Sequence, residues 1–107
     1  MAVLANGNTA SAGELFTCAL KDYKKATVVG VKTFGKGSMQ TIRSFYDGTG
    51  MKYTYRYYCP PFSDNYDGVG IKPDKEVKLS DEASKKSVFL LSEKEDNQLS
   101  AALELLK

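Results

Sequence analysis

Among the residues of this 107-residue chain whose types suit hydrolytic chemistry, a serine at position 11 and a lysine at position 36 are distinguished by their local sequence. The sequence contains no histidine, so it cannot by itself supply a Ser-His-Asp or Cys-His arrangement or a histidine metal site. A general base must then be Lys, Asp, Glu or Tyr. The two cysteines, Cys18 and Cys59, are too few for a zinc site or a disulfide framework. We expect both to be buried small apolar residues, with a pairing between them left open.

Ser11 begins a segment with helical periodicity, in which the apolar residues recur every three or four positions: Leu15, Phe16, Ala19, Leu20 and Tyr23. Ser11 and Glu14 also match the capping-box pattern S-x-x-E. The simplest interpretation of Ser11 is therefore a helix N-cap. The same position would expose the hydroxyl at a helix N-terminus, where positive potential favours a developing oxyanion.

Lys36 lies between two glycines, Gly35 and Gly37. A lysine acts as a base only when it is neutral, which requires desolvation, and flanking glycines allow close backbone packing that could bury it. If the chain is extended after Gly35, Lys36, Ser38 and Gln40 share one face, and Gln40 could orient the amine. The simplest alternative is an ordinary surface lysine.

A phosphate-binding loop is a second alternative for the same segment, because Gly30-x4-Gly35-Lys36-Gly37 resembles G-x4-G-K-[ST]. The match fails at the residue after the lysine, where glycine replaces the Ser or Thr that holds Mg²⁺. The sequence that follows also predicts a strand where such a loop requires a helix.

The elements that would position these residues form an α/β pattern. Ala2–Ala5 predicts the end of a buried strand, residues 11–23 a helix and residues 26–31 a second strand, which together make a βαβ unit with a parallel pair. Residues 38–46 and 51–58 predict a β-hairpin across a glycine-containing turn. We expect a long loop over 62–74, a solvated charged segment over 72–86, and an amphipathic terminal helix over 96–107 with Leu99, Leu103 and Leu106 on one side.

Taken together, three segments closely resemble the catalytic region of the C-terminal processing (tail-specific) peptidases: residues 9–14, TASAGE; residues 19–23, ALKDY; and residues 29–40, VGVKTFGKGSMQ. That family typically reads S-A-S-A-S-E, a helix ending in D-Y, and V-G-x-x-T-F-G-K-G-x-x-Q. The resemblance implies Ser11 as nucleophile, Lys36 as base and Gln40 as the third catalytic residue. It further implies an oxyanion-hole donor at Ala12 N–H and a structural aspartate at Asp22.

The resemblance continues through residues 51–60, 68–74 and 98–106, so it covers essentially the whole chain as one unit, 1–107. It implies a βαβ unit, a hairpin and a C-terminal helix belonging to a ClpP/crotonase-like serine protease core. Gly13 and Cys59 depart from the family pattern, at positions where Ser and Thr are usual. Full-length members also carry a PDZ-like domain and the first half of the core upstream, which we expect this chain to lack.

The implied function is serine endopeptidase activity of a parent protein on protein substrates near their C-termini, with the isolated chain weak or inactive. The partners would be substrate C-termini. We expect no cofactor and no metal, and the net charge of +2 gives no argument for nucleic acid. Self-association of the fragment and an extracytoplasmic parent are further expectations. The rival hypotheses are a non-proteolytic binding protein on the same scaffold, as in the retinoid-binding repeats of the photoreceptor matrix, and an inactive adaptor or fragment.

Overall fold

The computed structural model describes all 107 residues, Met1–Lys107, and begins with the predicted βαβ unit. Strand β1 (Ala2–Ala5) leads into helix α1 (Ala12–Asp22), which is followed by strand β2 (Thr27–Gly30). The strands pair in parallel, from Ala2 opposite Thr27 to Ala5 opposite Gly30. The β-branched run at the start of β2 favours a strand that is covered on both faces, and Val28 and Val29 are fully buried.

A third, very short strand completes the parallel sheet. Strand β5 (Lys75–Glu76) pairs in parallel with the end of β2, so the strand order is β1-β2-β5. The charged sequence around it predicts a solvated surface segment, and Glu76 is indeed exposed, but the sequence does not predict that the backbone of these two residues pairs with β2. The backbone N–H of Asp74 donates to the Val28 carbonyl at 2.9 Å. The chain therefore joins the parallel sheet immediately after the long loop.

The predicted hairpin is present as a separate two-stranded antiparallel sheet. Strands β3 (Ser38–Ser44) and β4 (Gly50–Tyr57) pair along their full length, with an irregularity between Met39 and Gln40. All eight residues of β4 are exposed. The hairpin therefore projects from the rest of the molecule, with neither face covered by another element.

The buried face of α1 is not the one that the apolar periodicity predicts. The exposed residues include Leu15, Phe16 (62% exposed) and Tyr23, whereas the buried residues of the helix are Glu14, Thr17 and Cys18. Only 16 of the 107 residues are buried, so most of the large apolar side chains of the chain remain uncovered. Cys18 and Cys59 are both free, and Cys59 is exposed, contrary to the expectation that both are buried.

The C-terminal region forms two 3₁₀ turns (Ala83–Lys85 and Val88–Leu90) and then helix α2 (Asn97–Glu104), which packs against β1 and β2. The helix is confirmed, but its buried residues are Gln98 and Ala102, and Leu103 is exposed. The side-chain amide of buried Gln98 donates to the Val77 carbonyl at 2.7 Å, which satisfies one of its polar groups. Neither helix of the chain has the length and apolarity needed to cross a membrane.

Candidate active site

Ser11 lies in the turn between β1 and α1, one residue before the helix. Its backbone has φ 52° and ψ −115°, and positive φ in a residue other than glycine stores strain of about 1–3 kcal/mol, which is concentrated at functional sites. The Ser11 carbonyl accepts from the N–H of Leu15 at 2.9 Å, so the helix starts directly behind it. A half-buried serine therefore lies at the positive end of a helix dipole.

Lys36 lies in the loop between β2 and β3, and its two glycine neighbours fix its backbone. A Cβ added to Gly35 would lie 2.8 Å from the backbone nitrogen of Gly70, and one added to Gly37 would lie 2.7 Å from that of Asp67. Gly37 N–H donates to the Asp67 side chain at 2.9 Å. The close packing predicted for the glycines is confirmed, and the Lys36 side chain is half-buried.

Glu14 joins the two candidate catalytic residues. One carboxylate oxygen, Oε2, accepts from the backbone N–H of Ser11 at 3.0 Å and from that of Lys36 at 2.8 Å. The other, Oε1, accepts from Gly35 N–H at 2.7 Å and from the Thr33 hydroxyl. The side chain is 0% exposed, and these four donors replace the water that it has lost.

The five residues Ser11, Glu14, Thr33, Gly35 and Lys36, here named the Glu14 cluster, thus share one buried carboxylate. Thr33 extends the cluster, because its hydroxyl oxygen also accepts from Ile71 N–H at 2.7 Å. The sequence indicates only a capping-box role for Glu14, and the hydrogen bond from the Ser11 backbone N–H to the Glu14 carboxylate is the bond that this role predicts. The bonds to the loop carrying Lys36 depend on tertiary structure, and no local pattern signals them.

Ser11, Lys36 and Gln40 line one cavity of about 300 Å³. Its remaining lining residues are Ser38, Met39, Ile42, Lys52 and Tyr58. Gln40 is exposed, and its side-chain amide donates to Thr54 Oγ1 at 3.4 Å and not to the Lys36 amine. The structure therefore brings the three residues to one site, while the orientation of Lys36 by Gln40 stays a prediction.

The backbone N–H groups at the start of α1 differ in their availability. Ser11 N–H is taken by Glu14, and Gly13 N–H donates to the Ala10 carbonyl at 3.1 Å. Ala12 N–H makes no backbone hydrogen bond, and Ala12 is exposed. Among these three, Ala12 is the free donor beside the Ser11 side chain.

Asp22, at the other end of α1, holds the loop that follows the hairpin. Its carboxylate accepts from the backbone N–H groups of Phe62 and Ser63, at 2.9 and 3.0 Å, and from the Ser63 hydroxyl. Partial burial raises the pKa of Asp22, but these hydrogen bonds outweigh it, so the pKa lies below its ordinary value. The contacts of Asp22 agree with the structural role that the resemblance implies.

Tyr66 packs in the same loop region, between Cys18 and the cavity residue Tyr58. It is 3% exposed, its hydroxyl has no hydrogen-bond partner, and its ring stacks on Tyr58 with centroids 6.4 Å apart. Burial, and then the negative charge of Glu14, raise the pKa of Tyr66 to about 12.

No group of three or more His, Cys, Asp or Glu side chains has an arrangement that could hold a metal ion.

Comparison with known proteins places this chain in a family. The model of peptidase family S41 matches residues 1–77. The chain is 48% identical over 77 residues to the probable CtpA-like serine protease of Staphylococcus haemolyticus, covering 72% of this chain and 16% of the relative. It is 53% identical over 74 residues to the probable CtpA-like serine protease of Staphylococcus aureus strain COL, covering 69% and 15%.

Solved structures give the same result for the fold. The photosystem II D1 C-terminal processing protease superposes with a TM-score of 0.68 at 39% identity, over 72% of this chain and 20% of that one. Mature CPAF superposes with a TM-score of 0.67 over 77% of this chain and 16% of that one. At 22% identity this likeness supports the fold alone. The chain thus spans only about one sixth of the length of the curated relatives that it matches.

Proposed function

The chain belongs to peptidase family S41, and we propose that it carries the nucleophile and the base of a serine peptidase that cleaves protein substrates near their C-termini. The activity belongs to a longer protein, of which residues 1–107 form the C-terminal portion of the catalytic domain, in a ClpP/crotonase-like core. The observation that carries the proposal is the attachment of Ser11 and Lys36, through their backbone N–H groups, to the same oxygen of buried Glu14.

In the proposed mechanism the neutral amine of Lys36 takes the proton of the Ser11 hydroxyl while Oγ attacks the scissile carbonyl carbon. The carbonyl oxygen becomes an oxyanion, and the free N–H of Ala12, at the positive end of α1, donates to it. Loss of one such donor costs about 10²–10³ in rate.

Collapse of the tetrahedral intermediate breaks the C–N bond, and Lys36 returns its proton to the leaving amine. Water then attacks the ester carbon of the acyl-enzyme while Lys36 accepts a proton from the water. Lys36 passes that proton to Ser11 Oγ as the ester C–O bond breaks, which releases the carboxylic acid product and restores the Ser11 hydroxyl. Gln40 lines the same cavity and is proposed to orient the Lys36 amine once substrate is bound.

The test is a peptidase assay of the full-length protein that contains these residues. Ser11→Ala and Lys36→Ala are each expected to abolish release of a C-terminal peptide from a protein substrate. The control is Lys32→Ala, an exposed lysine in the same loop, which should retain activity. Unchanged cleavage by either active-site variant would overturn the mechanism. An intact protein with no hydrolytic activity would favour the non-proteolytic binding alternative.

The isolated 107 residues are proposed to have little or no peptidase activity and to self-associate. Phe16, Tyr23 and the residues of β4 leave apolar surface uncovered, and β1 and β4 each have an unpaired edge. Sedimentation velocity and a peptide assay on the same preparation check both statements. A monodisperse monomer would contradict the self-association, and efficient hydrolysis would contradict the lack of peptidase activity.

A further inference from the structure

The cavity that contains Ser11 and Lys36 is lined by a second lysine, Lys52, which belongs to strand β4 of the hairpin. Lys52 lies directly opposite Ile42 in the pairing of β3 with β4. The side chains of opposed residues in an antiparallel pair lie on the same face and are close enough to interact. Ile42 lines the cavity as well, so the hairpin places the Lys52 side chain beside the candidate catalytic residues.

The next cross-strand pair identifies the same face of the hairpin. Gln40 lies opposite Thr54, and its side-chain amide donates to the Thr54 hydroxyl at 3.4 Å. Residues two positions apart on a strand share a face, so Gln40 and Ile42 on β3 face the cavity together with Thr54 and Lys52 on β4. Arg43 follows Ile42 and therefore belongs to the opposite face, and it does not line the cavity.

The Lys52 ammonium has no partner within the chain. The lysine amines that donate hydrogen bonds are those of Lys21 and Lys86, and the same two lysines form the ion pairs. None of the eight residues that line the cavity is acidic. Because the proposed mechanism uses Lys36 as a neutral base, Lys52 supplies the one formal charge of the cavity lining, and that charge is positive.

We propose that Lys52 is a specificity-determining residue, whose ammonium binds a carboxylate of the substrate polypeptide beside the scissile bond. The proposal rests on the proposed function and adds which substrates are preferred. At neutral pH the anionic groups of an unmodified polypeptide are its carboxylates, on Asp and Glu side chains and at the C-terminus. Both sources are available to a peptidase that cuts near C-termini, because the chain end then lies close to the scissile bond.

The size and exposure of the cavity set the limits of this contact. A volume of about 300 Å³ holds only a few side chains, so the carboxylate belongs to a residue close to the scissile bond. Lys52 is exposed on β4, so the pair keeps part of its hydration and the cost of desolvating two charges is small. A hydrogen bond between charged groups in this setting is expected to change kcat/KM by about tenfold.

The first experiment varies the substrate of the full-length protein. A peptide that the protein cleaves is prepared with Glu or Gln at each position near the scissile bond in turn, and with a free or an amidated C-terminus. One carboxylate is expected to raise kcat/KM about tenfold over its neutral counterpart, mainly by lowering KM. A response to amidation identifies the terminal carboxylate as the partner, and a response to Gln identifies an acidic side chain. No preference for a carboxylate at any position would overturn the proposal.

The second experiment compares Lys52→Met with Arg43→Met, each of which removes one positive charge from an exposed position of the hairpin. The ratio of kcat/KM for the carboxylate peptide and its neutral counterpart is expected to fall to within about twofold in Lys52→Met and to stay unchanged in Arg43→Met. A ratio that persists in Lys52→Met, or that is lost equally in Arg43→Met, would contradict the assignment.

A reversed charge gives a sharper form of the same test. Lys52→Glu is expected to favour the neutral peptide over the carboxylate peptide, because two like charges then face each other. A residue that only supports the fold of the hairpin would lower kcat/KM for both peptides by the same factor. An unchanged preference for the carboxylate peptide in Lys52→Glu would overturn the proposal.

An activity-based serine probe separates this proposal from the one on which it depends. Labelling and cleavage by the unaltered protein without a carboxylate preference contradict the role of Lys52 alone. A full-length protein that is neither labelled nor able to cleave contradicts the proposed function and the role of Lys52 with it. A structure of the full-length protein in which a carboxylate of its own chain pairs with Lys52 would likewise overturn that role.

Discussion

The Glu14 cluster and the β3–β4 hairpin contribute to the same cavity and are built in opposite ways. In the cluster a fully buried carboxylate accepts hydrogen bonds from two loops, among them those from the backbone N–H groups of Ser11 and Lys36. In the hairpin every residue of β4 is exposed, and Ile42 and Tyr57 leave more than half of their surface in solvent.

The difference between the Glu14 cluster and the hairpin shows which residues of the candidate site have their positions fixed by contacts within this chain. Ser11 and Lys36 are positioned by short polar contacts within residues 11–36, and those contacts do not depend on a large apolar core. The hairpin is held by the hydrogen bonds between its own two strands, and its side chains are largely exposed. Substitutions in the two regions should therefore differ in kind and in size.

Glu14→Gln is expected to have the largest effect. The amide keeps one accepting oxygen but turns an NH₂ group toward backbone donors, leaving buried N–H groups unpaired at about 1–3 kcal/mol each. The free energy of unfolding should fall by at least about 3 kcal/mol in urea titrations. The matched control is Glu82→Gln, an exposed glutamate, with a change within about 0.5 kcal/mol. A loss for Glu14→Gln no larger than that of the control would remove the distinction between the two regions.

Tyr66 adds a pH dependence to the buried region. Its folded pKa of about 12 exceeds the ordinary value of 10.0, so above pH 10 the unfolded chain releases the proton first and stability falls as pH rises toward 12. At pH 11 this costs about 1–1.5 kcal/mol relative to pH 8.

Tyr66→Phe removes that contribution and also a buried hydroxyl without a partner. At neutral pH the variant should be as stable as the wild type or more stable, by up to about 1 kcal/mol. Urea titrations at pH 8 and pH 11 measure both effects. An identical alkaline loss in the two proteins would show that Tyr66 does not titrate as described.

Tyr46→Ser, in the turn of the hairpin, is expected to have the smallest effect. Tyr46 is fully exposed, so the substitution removes no buried contact and the free energy of unfolding should change by less than about 0.5 kcal/mol. A destabilisation above about 1 kcal/mol, measured in the same titrations, would mean that the hairpin is packed against another surface in solution.

The sequence predicted the local elements well, because strands rich in Val and Thr, the capping box of α1 and the glycine-containing turn of the hairpin are local signals. It did not predict which face of α1 is buried. Thr17 and Cys18 are buried; the Thr17 hydroxyl donates to the Gly13 carbonyl at 2.7 Å, and Cys18 contacts Ser63 at 3.5 Å. Periodicity favours apolar contacts and cannot anticipate such polar ones.

The site was predicted to a similar extent. Ser11, Lys36 and Gln40 were singled out by resemblance, and the structure brings them to one cavity. The link through Glu14 joins residues 22 positions apart, Lys36 N–H and the Glu14 carboxylate, and its donors are backbone groups, which are the same for every residue type. Strand β5 was not predicted because its two charged residues, Lys75 and Glu76, have no sequence pattern typical of a strand.

The most direct test of the central claim is mass-spectrometric identification of the residue labelled by an activity-based serine probe in the full-length protein. The account predicts a single adduct on Ser11, which is lost in Lys36→Ala and kept in Lys32→Ala. Labelling at another serine, or Ser11 labelling that persists undiminished in Lys36→Ala, would contradict the assignment of Ser11 and Lys36 as nucleophile and base.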